Sequence, residues 1–245
     1  MLAAHRELCV AHHRLEALRA EIDADDEHAA RVVLACGQVN FFGHAAVASW
    51  TSDVPAVVIG AMLPDFATMC GGRIDAADEP EVARGIAHHH ATDAVFHQLP
   101  VVTGLMRELD GVLERGGCAR GPRRAVAHIG VELVLDGVLT DEPAYRAAYL
   151  GGLAHDPALR WRGPDDAPRF AVLLDRLRAR GVPDDLRQPA AITTRLHRIL
   201  AHRPLLAPSP ADLRAIHEAL VACQRRIEVA AETVLRAMRA QLTAA

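Results

Sequence analysis

Gly85-Ile86-Ala87-His88-His89-His90-Ala91-Thr92-Asp93-Ala94-Val95-Phe96-His97 places four histidines and an aspartate within ten residues of an Ala/Leu/Arg-rich chain. After Gly85 the stretch has no Gly or Pro to interrupt a helix. A helix here puts His89, Asp93 and His97 at i, i+4 and i+8, on one face. Two imidazoles and a carboxylate on one face suit a divalent cation. The same spacing suits a solvated helix surface, and this stretch alone leaves both open.

Working outward, the rest of the chain also reads as helix. Apolar residues make up 51 % of the 245, mostly Ala, Leu and Val, with only 4 % aromatic. Ala, Leu, Arg and Glu are all strong helix formers. Amphipathic or apolar helical pieces are expected over 5–22, 39–49, 54–69, 80–97, 100–114, 122–139, 169–180, 190–202 and 209–242. Pro55, Pro80, Pro100 and Pro122 stand at or near helix starts, and Ser209-Pro210-Ala211-Asp212 combines an N-cap with a first-turn acid. Segments 71–80 and 151–168, rich in Gly and Pro, read as irregular. No run of alternating β-branched residues argues for a sheet. The expected fold is all-α, a single-domain helical bundle.

All 27 basic residues are arginine, yet the net charge is −4, which gives no argument for nucleic-acid binding. The longest apolar run, over 54–63, holds Pro55 and Gly60 and is half the length of a membrane span, so no membrane partner is expected. The five cysteines are widely spaced with no Cys-x-x-Cys. That pattern fits reduced thiols in a cytoplasmic protein.

A second polar stripe lies at His128, Glu132 and Asp136, again i, i+4 and i+8, amid Ile, Gly, Val and Leu. Carboxylates in so apolar a helix need a partner or a cation. Ion pairing with Arg123 or Arg124 is the alternative. Asp65, ending an apolar run, and His44, alone in an apolar helix, complete a set of His and Asp/Glu from four helices. That set suits mixed N/O ligation of Mn²⁺, Fe²⁺ or Zn²⁺.

The order Asn40-Phe41-x-x-His44, Leu63-Pro64-Asp65-Phe66, Gly85-Ile86-x-x-His89-x-x-x-Asp93 and Glu132-x-x-x-Asp136 resembles the acyl carrier protein phosphodiesterase family. The similarity runs from Val39 through His202-Arg203-Pro204-Leu205 into the final helix. It implies a helical fold like that of the HD-type metal-dependent phosphohydrolases. It also implies manganese-dependent release of 4′-phosphopantetheine from holo acyl carrier protein. Carried over by position, His44, Asp65, His89, Asp93 and Asp136 are the expected metal ligands, with Glu132 replacing an aspartate. His97, His90, Glu132 and Arg124 are the expected proton carriers and phosphate contact.

The chain departs from the family's pattern in several places. Ala87 replaces a histidine, His90 and Ala91 replace two arginines, His97 replaces an aspartate, and Gly137 replaces a histidine. His128 stands where the family has proline. These changes weaken the carry-over of the substrate more than that of the metal. A diverged metalloenzyme acting on another small phosphoester, or using iron for oxidative chemistry, stays open. So does a non-catalytic helical binding protein. An arginine-rich segment (Arg160, Arg162, Arg169, Arg176, Arg178, Arg180) is the candidate surface for an acidic carrier protein. Residues 1–38 lie outside the resemblance and read as a helical extension, with Val39 a candidate start of the domain proper at 39–245.

Overall fold

The structure, a computed structural model, describes residues 40–243, which belong to one compact unit. The expected extension over 1–38, with its helix over 5–22, lies outside the described residues.

In chain order the elements are α1 (Phe41–Ala48), α2 (Pro55–Met69), β1 (Ile74–Ala77), α3 (Pro80–Gln98), α4 (Pro100–Arg115), α5 (Arg120–Leu139), α6 (Pro143–Ala154), β2 (Leu159–Trp161), α7 (Asp166–Arg180), a 3₁₀ turn (Asp184–Arg187), α8 (Pro189–Leu200) and α9 (Pro210–Leu242). Six helices open on a proline: Pro55, Pro80, Pro100, Pro143, Pro189 and Pro210. At that position the missing N–H has no intrahelical acceptor to lose, and the fixed φ is already helical. Pro122 sits two residues inside α5, still within the first turn, where the same reasoning holds. At the start of α9, Ser209 Oγ accepts from the Asp212 N–H (3.2 Å) while Asp212 accepts from the Ser209 N–H (2.8 Å). This capping box also accepts the Ala119 N–H at 2.7 Å, tying the starts of α5 and α9 together.

Helix α2 is buried almost all round, from Ala56 to Leu63 and again from Asp65 to Ala67. A helix apolar on every side must be enclosed by others; α1, α3 and α6 pack around it. Phe41, Phe42, Phe66 and Tyr149 form the aromatic centre of this core, with ring centroids 5.1–6.0 Å apart. Two glycines bring α2 and α3 into backbone contact. A Cβ on Gly85 would lie 2.2 Å from the Val57 carbonyl oxygen and 2.7 Å from Gly60 Cα. That contact sets Asp65 and His89, each little more than one turn further along, beside one another.

Two features depart from the sequence expectation. Helix α6 occupies a stretch where none is expected and runs through Gly151-Gly152. A Cβ on Gly152 would lie 2.9 Å from Val58 and 3.0 Å from Met62, so this glycine serves close helix packing rather than a turn. The expected irregular segments 71–80 and 151–168 contain β1 and β2, which pair antiparallel with a bulge between Ile74 and Ala76. Ile-Asp-Ala-Ala and Leu-Arg-Trp carry no alternation long enough to signal a strand. The ribbon is held instead by Asp166, which accepts from the Arg73 and Gly163 N–H groups, and by Trp161 against Phe170. Among the described residues the architecture is nevertheless nine helices and one two-stranded ribbon. None of those helices is long and apolar enough to cross a membrane.

Candidate metal centre

His44 on α1, Asp65 on α2, and His89 and Asp93 on α3 meet at the contact made by the two glycines. Donor atoms of His44, Asp65 and His89 all lie within 4.8 Å of one another. Asp93 reaches both imidazoles, with Oδ1 3.2 Å from His44 Nε2 and Oδ2 3.2 Å from His89 Nε2. His44 Nε2 is 3.9 Å from Asp65 Oδ2. His44, Asp65 and His89 are all at most 2 % exposed.

The orientation of His89 is set by the backbone. Its Nδ1–H donates to the Ala61 carbonyl at 2.9 Å, which leaves Nε2 as the nitrogen facing Asp93. A ring N–H given to a main-chain carbonyl is how metal-ligating histidines are usually held. Apart from the contact of His44 Nε2 with Asp93, the ring nitrogens of His44 and Asp65 Oδ2 are buried without a hydrogen-bond partner. Buried polar atoms are rarely left so. Two nitrogens and two carboxylates with orphaned atoms aimed at one another fit a divalent cation, and this donor set passes that test.

Electrostatics separate the four residues. Burial lowers His44 to about 4, with His89 adding to the effect. Burial likewise raises the Asp65 carboxyl to about 8. For Asp93, burial pushes upward, but His44 and His89 outweigh it and hold the carboxyl well below the usual range. For His89, burial pulls downward, and Asp93 with Asp65 more than offsets it. Without a cation at neutral pH, the set holds a neutral His44, a protonated Asp65 and an ionised Asp93 beside His89.

A second group adjoins the first. His97, in the last turn of α3, meets His128 and Glu132 of α5, with donor atoms again within 4.8 Å of one another. His128 Nε2 is 3.1 Å and His97 Nε2 3.7 Å from Glu132 Oε1. The sequence stripe over 128–136 shows His128 beside Glu132, but only the tertiary fold brings His97, at the end of α3, to them. His128 is therefore the participant missing from the expected site residues. Arg123 does not pair with Glu132; it pairs with Asp110 at 3.1 Å and with Glu114. Arg124 is half-buried one turn N-terminal of His128 on the same stripe.

Two expected site residues, Asp136 and His90, are outside the two donor groups. Asp136 is buried but stands in neither donor group. Its carboxyl accepts the Gly43 N–H at the start of α1, whose own N-cap residue, Asn40, makes no side-chain cap. A Cβ on Gly43 would lie 2.6 Å from Asp136 Oδ1, so the glycine makes room for that carboxylate. Asp136 thus caps the start of α1 while lining the same cavity as His44, Asp93 and Glu132. His90 points away from the donor set. It is exposed and lines a surface cleft of about 500 Å³ with Arg73, Asp75 and Arg162.

Between the donor groups and α9 lies a small cavity of about 40 Å³. Its wall includes His44, Asp93, Glu132 and Asp136 on one side and Val234, Leu235 and Met238 on the other. At roughly 10–15 Å³ per water, this holds a few water-sized groups. The arginine-rich segment is largely engaged within the chain. Arg160 pairs with Asp78, Arg162 with Asp75, Arg178 with Asp156 and Arg180 with Asp185, and Arg169 reaches the Cys70 and Gly71 carbonyls.

No family model, no curated protein and no solved structure matches the chain.

Proposed function

We propose that the chain is a metal-dependent phosphodiester hydrolase, its cation held by His44, Asp65, His89 and Asp93. The observation that carries the proposal is the convergence of His44, Asp65 and His89 from three helices, with donor atoms within 4.8 Å of one another and Asp93 3.2 Å from both imidazoles. A bound divalent ion, Mn²⁺ first among the candidates and Fe²⁺ or Zn²⁺ after it, supplies Lewis acidity toward a phosphoester oxygen and makes water a better nucleophile at neutral pH.

The residues of the chain do the rest. Ala61 fixes the His89 tautomer, and Asp93 holds the two imidazoles in register. Burial keeps His44 neutral, the form that metal ligation needs. Burial also lowers the His97 imidazole, against the opposing pull of Glu132.

The substrate class rests on the family resemblance. Holo acyl carrier protein, losing 4′-phosphopantetheine, is therefore the first substrate to test. With most of the arginine-rich segment already paired, recognition of an acidic carrier would fall to other arginines or require those pairs to open.

The test uses protein purified without a histidine tag. Expected results are bound transition metal, Mn²⁺-stimulated hydrolysis of bis(4-nitrophenyl) phosphate, and loss of the prosthetic group from holo acyl carrier protein by intact-mass spectrometry. Absence of bound metal together with no activation by Mn²⁺ would overturn the hydrolase reading. Activity on the generic ester with an untouched carrier protein would remove only that substrate.

A further inference from the structure

Glu132 is the most enclosed carboxylate near the cavity. Its side chain is 0 % exposed, and apart from the His97 and His128 contacts to Oε1 its carboxylate oxygens have no hydrogen-bond partner. Leaving an ionised carboxylate in this state is expensive, several kcal/mol for a single desolvated ion. What faces this carboxyl is a pair of imidazoles. The His97 and His128 rings stack at 4.7 Å with 27° between their planes, and both Nε2 atoms are turned to the same oxygen.

Around a cation with bonds of about 2.1 Å, neighbouring ligand atoms stand about 3.0 to 3.4 Å apart. The 3.1 and 3.7 Å separations here are within a few tenths of an ångström of that. Two imidazoles and one carboxylate are a complete protein ligand set for a catalytic cation that keeps open positions. The site is also reachable, since the His97 and His128 side chains are 25 % and 19 % exposed while Glu132 closes the inner end.

We infer that His97, His128 and Glu132 form a second divalent-cation site, so that the chain holds two ions along one cavity. The two donor groups are joined through α3. Asp93 of the first lies one turn, about 6 Å, before His97 of the second. Asp93 and Glu132 line the same cavity. Two ions so placed would act on one phosphoester, a common arrangement for phosphoryl transfer to water. The inference deepens the proposed function, but its own evidence is the second donor group.

The competing account of the same geometry is a simple imidazolium–carboxylate pair between His128 and Glu132. Counting ions separates the two. Full-length protein, stripped with chelator, is titrated with Mn²⁺ by isothermal calorimetry and its metal content measured after dialysis. Wild type should bind two ions per chain. Glu132→Gln, and independently the His97→Ala/His128→Ala double variant at less buried positions, should bind one, with the affinity of the lost ion falling about 100-fold or more. His89→Ala should also bind one, and it should be the other.

A wild type that binds one ion, lost in His89→Ala but kept in both second-group variants, would overturn this inference and leave the proposed first site standing. One ion lost only in the second-group variants would do the reverse. No ion in wild type would sink both.

Discussion

Replacing Asp65 by Asn should change how the stability of the metal-free protein depends on pH. Asp65 is 1 % exposed, and burial raises its carboxyl from 3.8 to about 8. Between those values the folded chain keeps a proton that the unfolded chain has released, so stability falls as pH rises. The contribution is whole below about pH 4 and has gone once pH passes about 8. At roughly 1.4 kcal/mol per pH unit, the interval from pH 5 to pH 8 is worth about 4 kcal/mol. Asparagine keeps the shape and has no proton to lose. The unfolding free energy of Asp65→Asn should therefore gain about 4 kcal/mol on wild type across that interval. Urea unfolding followed by far-UV circular dichroism, in chelator and at half-unit pH steps, measures it. Any hydrogen bond the amide gains or loses enters as a constant offset, so the slope is the diagnostic quantity. Parallel curves within 1 kcal/mol would show that Asp65 ionises normally in the folded protein, refuting the desolvation argument.

Three further outcomes follow from the same geometry. A cation that needs ionised Asp65 must displace its proton, so Mn²⁺ affinity should rise about tenfold per pH unit up to about pH 8; a flat profile by calorimetry would remove Asp65 from the ligand set. Asp136→Asn should keep its metal content and affinity, because the amide oxygen can still accept the Gly43 N–H; a clear fall in bound metal would return Asp136 to the ligands. Gly85→Ala forces a methyl against Val57 and Gly60 backbone atoms, which cannot rotate aside. It should lower stability by about 3 kcal/mol and weaken metal binding with it, and an unchanged urea midpoint would refute the close-contact account.

The helices were largely legible because their boundaries are written in local chemistry. Prolines at first-turn positions and the Ser209/Asp212 box act within one turn, and α2, α3, α4, α5 and α9 fall within two residues of the expected spans. Where a residue's role depends on a distant partner, local reasoning failed. Gly152 looks like a breaker until Val58 and Met62 are beside it. The β-ribbon has no strand signal because Asp166, about 90 residues from Arg73 in sequence, holds one end of it.

The same division runs through the candidate site. From the sequence alone come the all-α class, the i, i+4, i+8 stripes and the identities of His44, Asp65, His89 and Asp93, because helical periodicity and an out-of-place polar residue are local signals. Whether those four meet was decided by the Gly60–Gly85 contact, a tertiary event that no spacing encodes. Tertiary packing also drew His97 to His128 and Glu132, turned His90 outward and gave Asp136 to the start of α1. Asp136 and Glu132 share one helical stripe and differ only in what packs against them. One faces a backbone N–H and the other two imidazoles, and that difference in surroundings makes one a cap and the other a candidate ligand.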